Sequence, residues 1–372
     1  MALLIACENM DEEKDQKNND KVAQSNATSS SYKRIRVIDG KSTSQYTGKP
    51  GRLFVVAENT IYTDELKQLI DTVFTRQMRP YYPPHQYFEV YHRTPEKFEK
   101  GSVRLRNVIE LVVDSTIPKG KPRMEIRKNY LSETQLYTEI AAHDINELYD
   151  FMEEELGQLF QRYESQEWKR EYYRHKRKSS PTVNEKLATK FGINLELPSK
   201  YRYESIDDEY AIIMLPERSR QMEMSIGGAG YNSTKANFIQ SGIMIYQYPF
   251  EDSSQMKPEM LMKKRDSILK YHAKHEVPGV YMGTQDHPAV LPEYERFKVN
   301  GIQGYQFRGM FKFTGRMEPS GGKFWSFHFL HPKRRNIVAV SGYLDAPPTM
   351  SPSFDLNRLR AIIYSLEVTK EK

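Results

Sequence analysis

Apolar and polar positions along the chain follow two rhythms, one near 3.6 residues and one of two, and they mark out helices and strands in turn. Leu53-Phe54-Val55-Val56-Ala57 is a continuous apolar run and predicts a buried strand. Asp64 opens a helix in which Leu66, Leu69, Ile70, Val73 and Phe74 form one apolar stripe. Tyr81-Tyr82-Pro83-Pro84 must be non-helical, because each proline drives its predecessor towards extended conformations. Strand-like runs follow at 87–91, 108–113, 124–130 and 135–140. Asp144 and Glu147 have the spacing of a capping box. Leu148, Phe151, Met152, Leu156, Leu159 and Tyr163 behind them predict a long helix from about 145 into the 170s. Ser179-Ser180-Pro181 breaks it, and a short helix over 184–190 closes at Gly192 as a left-handed C-cap.

Alternation dominates the second half. Strands are predicted at 210–215, 222–226 and 243–248, with a loop over Gly227 to Ser233, and Pro258 starts a helix through Leu261, Ile268 and Leu269. Asn300-Gly301 between two alternating runs is the dipeptide that best suits a tight hairpin. Gly321-Gly322 is expected to separate Phe311-Lys312-Phe313 from 324–329, and a turn over 333–336 leads into Ile337-Val338-Ala339-Val340. Consecutive short connections imply an antiparallel meander. A last helix places Leu356, Leu359, Ile362, Ile363 and Leu366 on one side, to cover a sheet face. The expected class is therefore α+β in two halves, 46–180 and 181–372, the second an antiparallel β-meander covered by helices.

Composition sharpens this picture mainly at the N-terminus. The 372 residues carry 55 Lys+Arg against 49 Asp+Glu and one cysteine. A single cysteine excludes a disulfide framework and a thiolate metal cage. No apolar run approaches the ~18–20 residues that cross a bilayer. The cysteine stands at Leu4-Ile5-Ala6-Cys7, which looks like a bacterial lipobox, and Cys7 is then the expected lipid attachment. A complete signal needs an apolar stretch of about 7–15 residues, so the true start is expected upstream. Residues 8–33, with Glu8, Asp11, Glu12, Glu13, Asp15 and Asp20 followed by Asn, Gln, Ser and Thr, have no apolar face. Residues 1–45 are thus expected to be a lipoprotein leader and a disordered acidic tether.

With these segments placed, the chain from about residue 47 onward resembles a family of Bacteroidota lipoproteins described only as domain of unknown function forty-eight thirty-seven. The resemblance rests on Thr47-Gly48-Lys49-Pro50, Arg106-Asn107-Val108-Ile109, Phe191-Gly192-Ile193, Tyr246-Gln247-Tyr248-Pro249-Phe250, Arg265-Asp266-Ser267-Ile268, Arg308-Gly309-Met310-Phe311 and Gly342-Tyr343-Leu344-Asp345-Ala346-Pro347. The chain departs from that pattern at Gly51-Arg52, near Phe311 where a tryptophan is missing, in the longer turn around Met317 and in the loop from Gly227 to Ala236. The resemblance implies an envelope protein anchored by lipid, with no catalytic assignment. The meander closed by a helix is also similar, at the level of fold, to modules of the PsbP and Mog1 type, which transfers no function.

A search for chemistry returns little. Among nine histidines, His272 and His275 share a helix face without a third ligand, and the odd spacing of His328 and His331 sends them to opposite sides of a strand. No His-Glu-x-x-His helix, nucleophile elbow or phosphate-binding loop occurs, and Gly228-Ala229-Gly230 lacks the third glycine of a dinucleotide fingerprint. No metal, cofactor or catalytic residue is therefore expected. Lys169 to Lys178 carries six basic residues among aromatics and reads as a solvated helix end rather than a nucleic-acid surface. Arg106, Asn107, Asp266 and Arg308 are the polar candidates for binding, although an ion pair or an edge-strand charge explains each more simply. Trp325 between aromatics is expected in the core rather than as a stacking platform.

The expectation is a non-catalytic binding or scaffolding protein, lipid-anchored in the cell envelope at the outer membrane and meeting another envelope protein or a glycan, not nucleic acid. The alternative is an envelope hydrolase of glycan or peptide using dispersed carboxylates such as Glu110, Asp114, Asp207 or Glu293.

Overall fold

A computed structural model describes residues 34–101, 103–178, 181–198, 200–216, 218–225, 232–273, 277–315, 320–346 and 351–369. Cys7, the acidic stretch after it, His275 and the centres of the Gly227 and Met317 turns lie outside the described residues. The chain forms two compact units. One holds residues 34–78 and Gln86–Arg170; the other holds Arg79–His85 and residues 171–369. The class is α+β.

The first unit contains β1 (Ile35–Asp39), β2 (Arg52–Val56), α1 (Asp64–Phe74), β3 (Glu89–Arg93), α2 (Pro95–Lys100), β4 (Asn107–Val113), β5 (Arg123–Lys128), β6 (Leu136–Ala142) and α3 (Ile145–Lys176) as far as Arg170. Its sheet runs β1-β5-β6-β4-β2-β3. Strands β2, β3, β4 and β6 are parallel, β5 is antiparallel to β6, and β1 follows β5. The stripes expected from spacing close the core: Leu66, Ile70 and Phe74 of α1 and Leu148, Phe151, Met152, Leu156 and Tyr163 of α3 pack with Leu53, Val55, Ile109, Ile126 and Ile140. Thr63 Oγ1 accepts from Leu66 N and caps α1.

Two local expectations need correction. Order was expected from residue 46, yet β1 lies upstream, where Ile35 packs on the core and backbone pairing with β5 supplies what apolar content does not. The capping box at α3 is only half formed. Asp144 Oδ1 accepts from Asn146 N and Glu147 N at 3.0 Å, but Glu147 turns away to accept from Gly120 N at 2.9 Å.

The second unit contains α4 (Pro181–Phe191), β7 (Ile193–Asn194), β8 (Arg202–Ile206), β9 (Tyr210–Met214), β10 (Arg218–Ser225), β11 (Asn232–Pro249), α5 (Pro258–His272), β12 (Tyr281–Thr284), β13 (Glu293–Val299), β14 (Ile302–Thr314), β15 (Gly321–Leu330), β16 (Asn336–Asp345), α6 (Ser353–Tyr364) and β17 (Glu367–Val368). The sheet runs β12-β14-β15-β16-β11-β9-β8, with β13 added to β14 and β10 to β11; β7 and β17 pair separately. The meander is as the short connections imply. Asn300 and Gly301 both take positive φ between paired Val299 and Ile302, as a tight hairpin requires.

Gly321 and Gly322 do not form the separating turn expected of them; they begin β15. A Cβ on Gly321 would lie 2.0 Å from Phe311 O, and one on Gly322 2.2 Å from Leu344 O, so glycine is what lets the strands close here. The last helix also departs from a one-sided stripe: Asp355, Arg358 and Arg360 of α6 are buried with its leucines and isoleucines. Leu359 packs closely on Gly342 of β16.

Candidate binding site

Arg106 and Asn107, at the start of β4, meet Glu167 of α3 inside the first unit. Glu167 accepts from Arg106 Nη2 at 3.0 Å, Arg170 Nη1 at 2.5 Å, Asn107 Nδ2 at 2.8 Å and Gly51 N at 3.2 Å. Arg170 Nη2 in turn donates to Arg106 O and Asn107 Oδ1. Burial would raise the Glu167 carboxyl, but Arg106 and Arg170 outweigh it and hold it below the ordinary carboxylate range. Both oxygens of the carboxylate are committed, which leaves no acceptor for a ligand. The end of the basic stretch divides likewise: Arg170, Tyr172 and His175 are buried, while Lys176, Arg177 and Lys178 are exposed.

Arg308 projects from β14 between cross-strand Glu293, 3.3 Å away, and the ring of Trp325, 5.4 Å from its Cζ. Trp325 is buried, as expected of a core residue. The carboxylates of the hydrolase alternative are mostly engaged in local structure. Asp114 accepts from Thr116 N and Oγ1, Asp207 accepts from Glu209 N and Tyr210 N, and Glu293 faces Arg308. Glu110 differs, because it stands in register with Glu139 on β6, accepts from Tyr137 Oη, and is raised above the usual range chiefly by burial.

Asp266 leads to the arrangement that spacing alone did not disclose. Helix α5 begins with Pro258 and buries Leu261, Arg265 and Leu269, one residue every four, so an arginine occupies the middle of its inner stripe. Arg265 is fully buried. At its outer end Nη1 donates to Thr284 Oγ1 at 2.8 Å and lies 3.4 Å from Asp266 Oδ1. Thr284 donates both Oγ1–H, at 2.6 Å, and its backbone N–H, at 2.9 Å, to the same carboxylate oxygen. Asp266 thus fixes the threonine that fixes the guanidinium. The inner end has nothing to match: Nε and Nη2 have no hydrogen-bond partner among the described residues.

The sheet beneath explains what those two N–H groups face. Alternation brings Tyr210 of β9, Tyr246 of β11, Ala339 of β16 and His328 of β15 into one lateral row. The next row holds Met244, Ser341, Ser326 and Phe307. Small side chains therefore occupy the middle of the face while tyrosine, histidine and phenylalanine stand around it. Phe324 comes close to Gly309, where a Cβ would lie 2.6 Å from its ring, and the guanidinium carbon of Arg265 lies 4.0 Å from the ring centroid.

Four more polar atoms here have no partner among the described residues: Tyr210 Oη, Tyr246 Oη, His328 Nδ1 and Ser341 Oγ. His328 Nε2 and Ser326 Oγ are 3.1 Å apart, in a hydrogen bond whose direction follows the imidazole tautomer. Burial, then the charge of Arg265, lowers His328 to about 3, and burial raises both tyrosines far above neutrality. The surroundings are thus neutral hydroxyls and imidazole around one cation. Buried polar groups are almost always satisfied in native proteins, so this concentration of unsatisfied atoms marks the place where something else belongs. Among the described residues no three His, Cys, Asp or Glu side chains gather to hold a metal.

Comparison with known proteins adds family relationships and no chemistry. Residues 180–365 match the family described as Domain of unknown function (DUF4837). Residues 46–176 match a second, Domain of unknown function (DUF8532), so the resemblance read from residue 47 onward divides between two families. No curated protein matches the chain. Among solved structures it is similar to the Saccharomyces cerevisiae Ran-binding protein Mog1p, at 9% identity over 48% of this chain and 90% of that one with a TM-score of 0.29. It is similar also to a point mutant of protein Mog1, at 9% identity over 48% and 90% with a TM-score of 0.27.

Proposed function

We propose, from the premise that the chain belongs to the DUF4837 family, whose description names no reaction, that it is a non-catalytic binding protein of the cell envelope, tethered by lipid on Cys7. The observation that carries the binding role is the inner edge of Arg265, two buried N–H donors without an acceptor among the described residues. Buried N–H donors without an acceptor are costly, and a bound ligand supplies the acceptor. The tether rests on the sequence alone: a lipobox-like Leu4-Ile5-Ala6-Cys7 followed by polar, acidic residues.

The binding role is tested by purifying the full chain, unfolding it and identifying released small molecules by mass spectrometry. A stoichiometric compound released from wild type and absent from Arg265→Met is the expected result; no compound from either protein rejects the role. The tether is tested by the mass of the N-terminal peptide from native cells. Acyl chains on Cys7, and release of Cys7→Ser from the membrane fraction, are expected, whereas a free thiol in the soluble fraction rejects it.

One observation favours the hydrolase reading: Glu110 and Glu139 side by side, with Glu110 raised by burial. A carboxyl raised by burial can serve as an acid in hydrolysis. Loss of glycan or peptide hydrolysis in Glu110→Gln, with the fold retained, would establish it.

A further inference from the structure

We infer that the space bounded by Arg265, Tyr210, Tyr246, Ser341 and His328 holds the carboxylate of a small apolar monocarboxylic acid. This inference rests on the binding role proposed above.

Three features select that chemistry. The first is donor geometry: Nε and Nη2 of a guanidinium form one side of its planar fork, the edge that matches the two oxygens of a carboxylate. The outer edge is already used by Thr284 and Asp266, so the free edge has a fixed direction. Stacking of the guanidinium on Phe324 holds that plane. Tyr246 Oη, Tyr210 Oη and Ser341 Oγ can each donate a further O–H, and none has a competing partner among the described residues.

The second is charge. Arg265 is the one ionised group of this cluster, since both tyrosines and His328 remain neutral at physiological pH. Asp266 is its counter-ion at the outer end, so a ligand accepting from the inner edge should add as little further charge as possible. A phosphate dianion would bring twice the charge of a carboxylate into an apolar interior. The third is the lining. Met244, Met282, Leu269, Phe307 and Phe311 belong to the same buried cluster, so the body attached to the carboxylate must be apolar.

The probe is sodium butyrate, with butyramide as its neutral isostere and methylphosphonate, at a pH above its second ionisation, as a dianion. Thermal unfolding of the full chain is followed at constant ionic strength, chloride replacing each anion. The midpoint of wild type should rise with the logarithm of butyrate concentration and stay unchanged with butyramide or methylphosphonate. In Arg265→Met the apparent butyrate affinity should fall at least 100-fold, and in Tyr246→Phe, which alters one hydroxyl and keeps the ring, about tenfold. Arg308→Gln, on the opposite face of the sheet, should respond as wild type does.

If Arg265→Met does not fold, Tyr246→Phe decides the matter. A butyrate response that survives intact in Tyr246→Phe, or in a folded Arg265→Met, overturns the inference. Wild type indifferent to butyrate sends the decision to the compound released on unfolding. A carboxylic acid already in place sustains the inference. A neutral or phosphorylated compound overturns the ligand class and leaves the binding role standing. No compound at all removes both.

Discussion

The guanidinium carbon of Arg265 lies 4.0 Å from the ring centroid of Phe324, and the same ring crowds Gly309, its cross-strand partner. A helix residue, a strand residue and a glycine on the neighbouring strand therefore pack in succession. This packing sets the plane of the buried cation and hence the direction in which its free N–H groups point.

Gly309→Ala should show how tight that packing is. The added methyl would meet Phe324 Cε1 at 2.6 Å, so the ring must move and the guanidinium with it. We expect a loss of about 1–3 kcal/mol in urea unfolding, together with weaker butyrate stabilisation. An unchanged midpoint and an unchanged response would mean that the ring has room to spare.

Thr284→Val removes the hydroxyl that joins Arg265 to Asp266 while keeping the side-chain shape. Asp266 loses one of its two donors from this residue, and Arg265 Nη1 loses its acceptor at 2.8 Å. The expected cost is about 1–3 kcal/mol, read by the same unfolding experiment.

Glu167→Gln tests the buried network of the first unit. Removing the anion leaves Arg106 and Arg170 facing each other without a counter-charge, and a loss of about 3–5 kcal/mol is expected. The pH dependence carries the same information. The Glu167 carboxyl is held below its unfolded value, so its contribution is complete above about pH 4.5 and is lost as pH falls through the lower folded value. Wild type should lose stability in that window, and the part due to this group should be missing from Glu167→Gln.

His328 and His175 act in a higher window. Burial, aided by Arg265 for the first and by Arg358 and Arg174 for the second, lowers both to about 3 from an ordinary 6.5. Between those values the unfolded chain takes up protons that the native protein refuses, so stability present above pH 6.5 declines as pH falls towards 3. His328→Gln should reduce the slope of stability against pH between pH 6 and 4 by about one proton. A slope identical to wild type would show that His328 is protonated in the native state.

Much of the architecture was legible because its causes are local. The stripe of Leu66, Ile70 and Phe74, the run of Leu148 to Tyr163 and the Asn300-Gly301 pair each specify an element through spacing within a few residues. The errors arose where a distant partner intervened. Glu147 left its capping box for Gly120, Gly321 and Gly322 joined a strand because Phe311 and Leu344 approach them, and Ile35 gained a strand through β5. Asp266 was visible as a polar residue beside an arginine, but its role as an anchor needed Thr284. A usable signal did exist: Arg265 sits four residues from both Leu261 and Leu269, a charge at the centre of an apolar stripe.

The sequence by itself determined the main helices and most of the core strands, because side-chain periodicity and turn chemistry act over one or two turns of backbone. It also determined the antiparallel order of the meander, since short connections leave few alternatives. Only the tertiary structure decided that Tyr210, Tyr246, Ser341 and His328 share the sheet face that packs against Arg265. Four strands and a helix bring those five residues together through register and packing, and no local spacing encodes which rows of a sheet fall beneath a given turn of a helix.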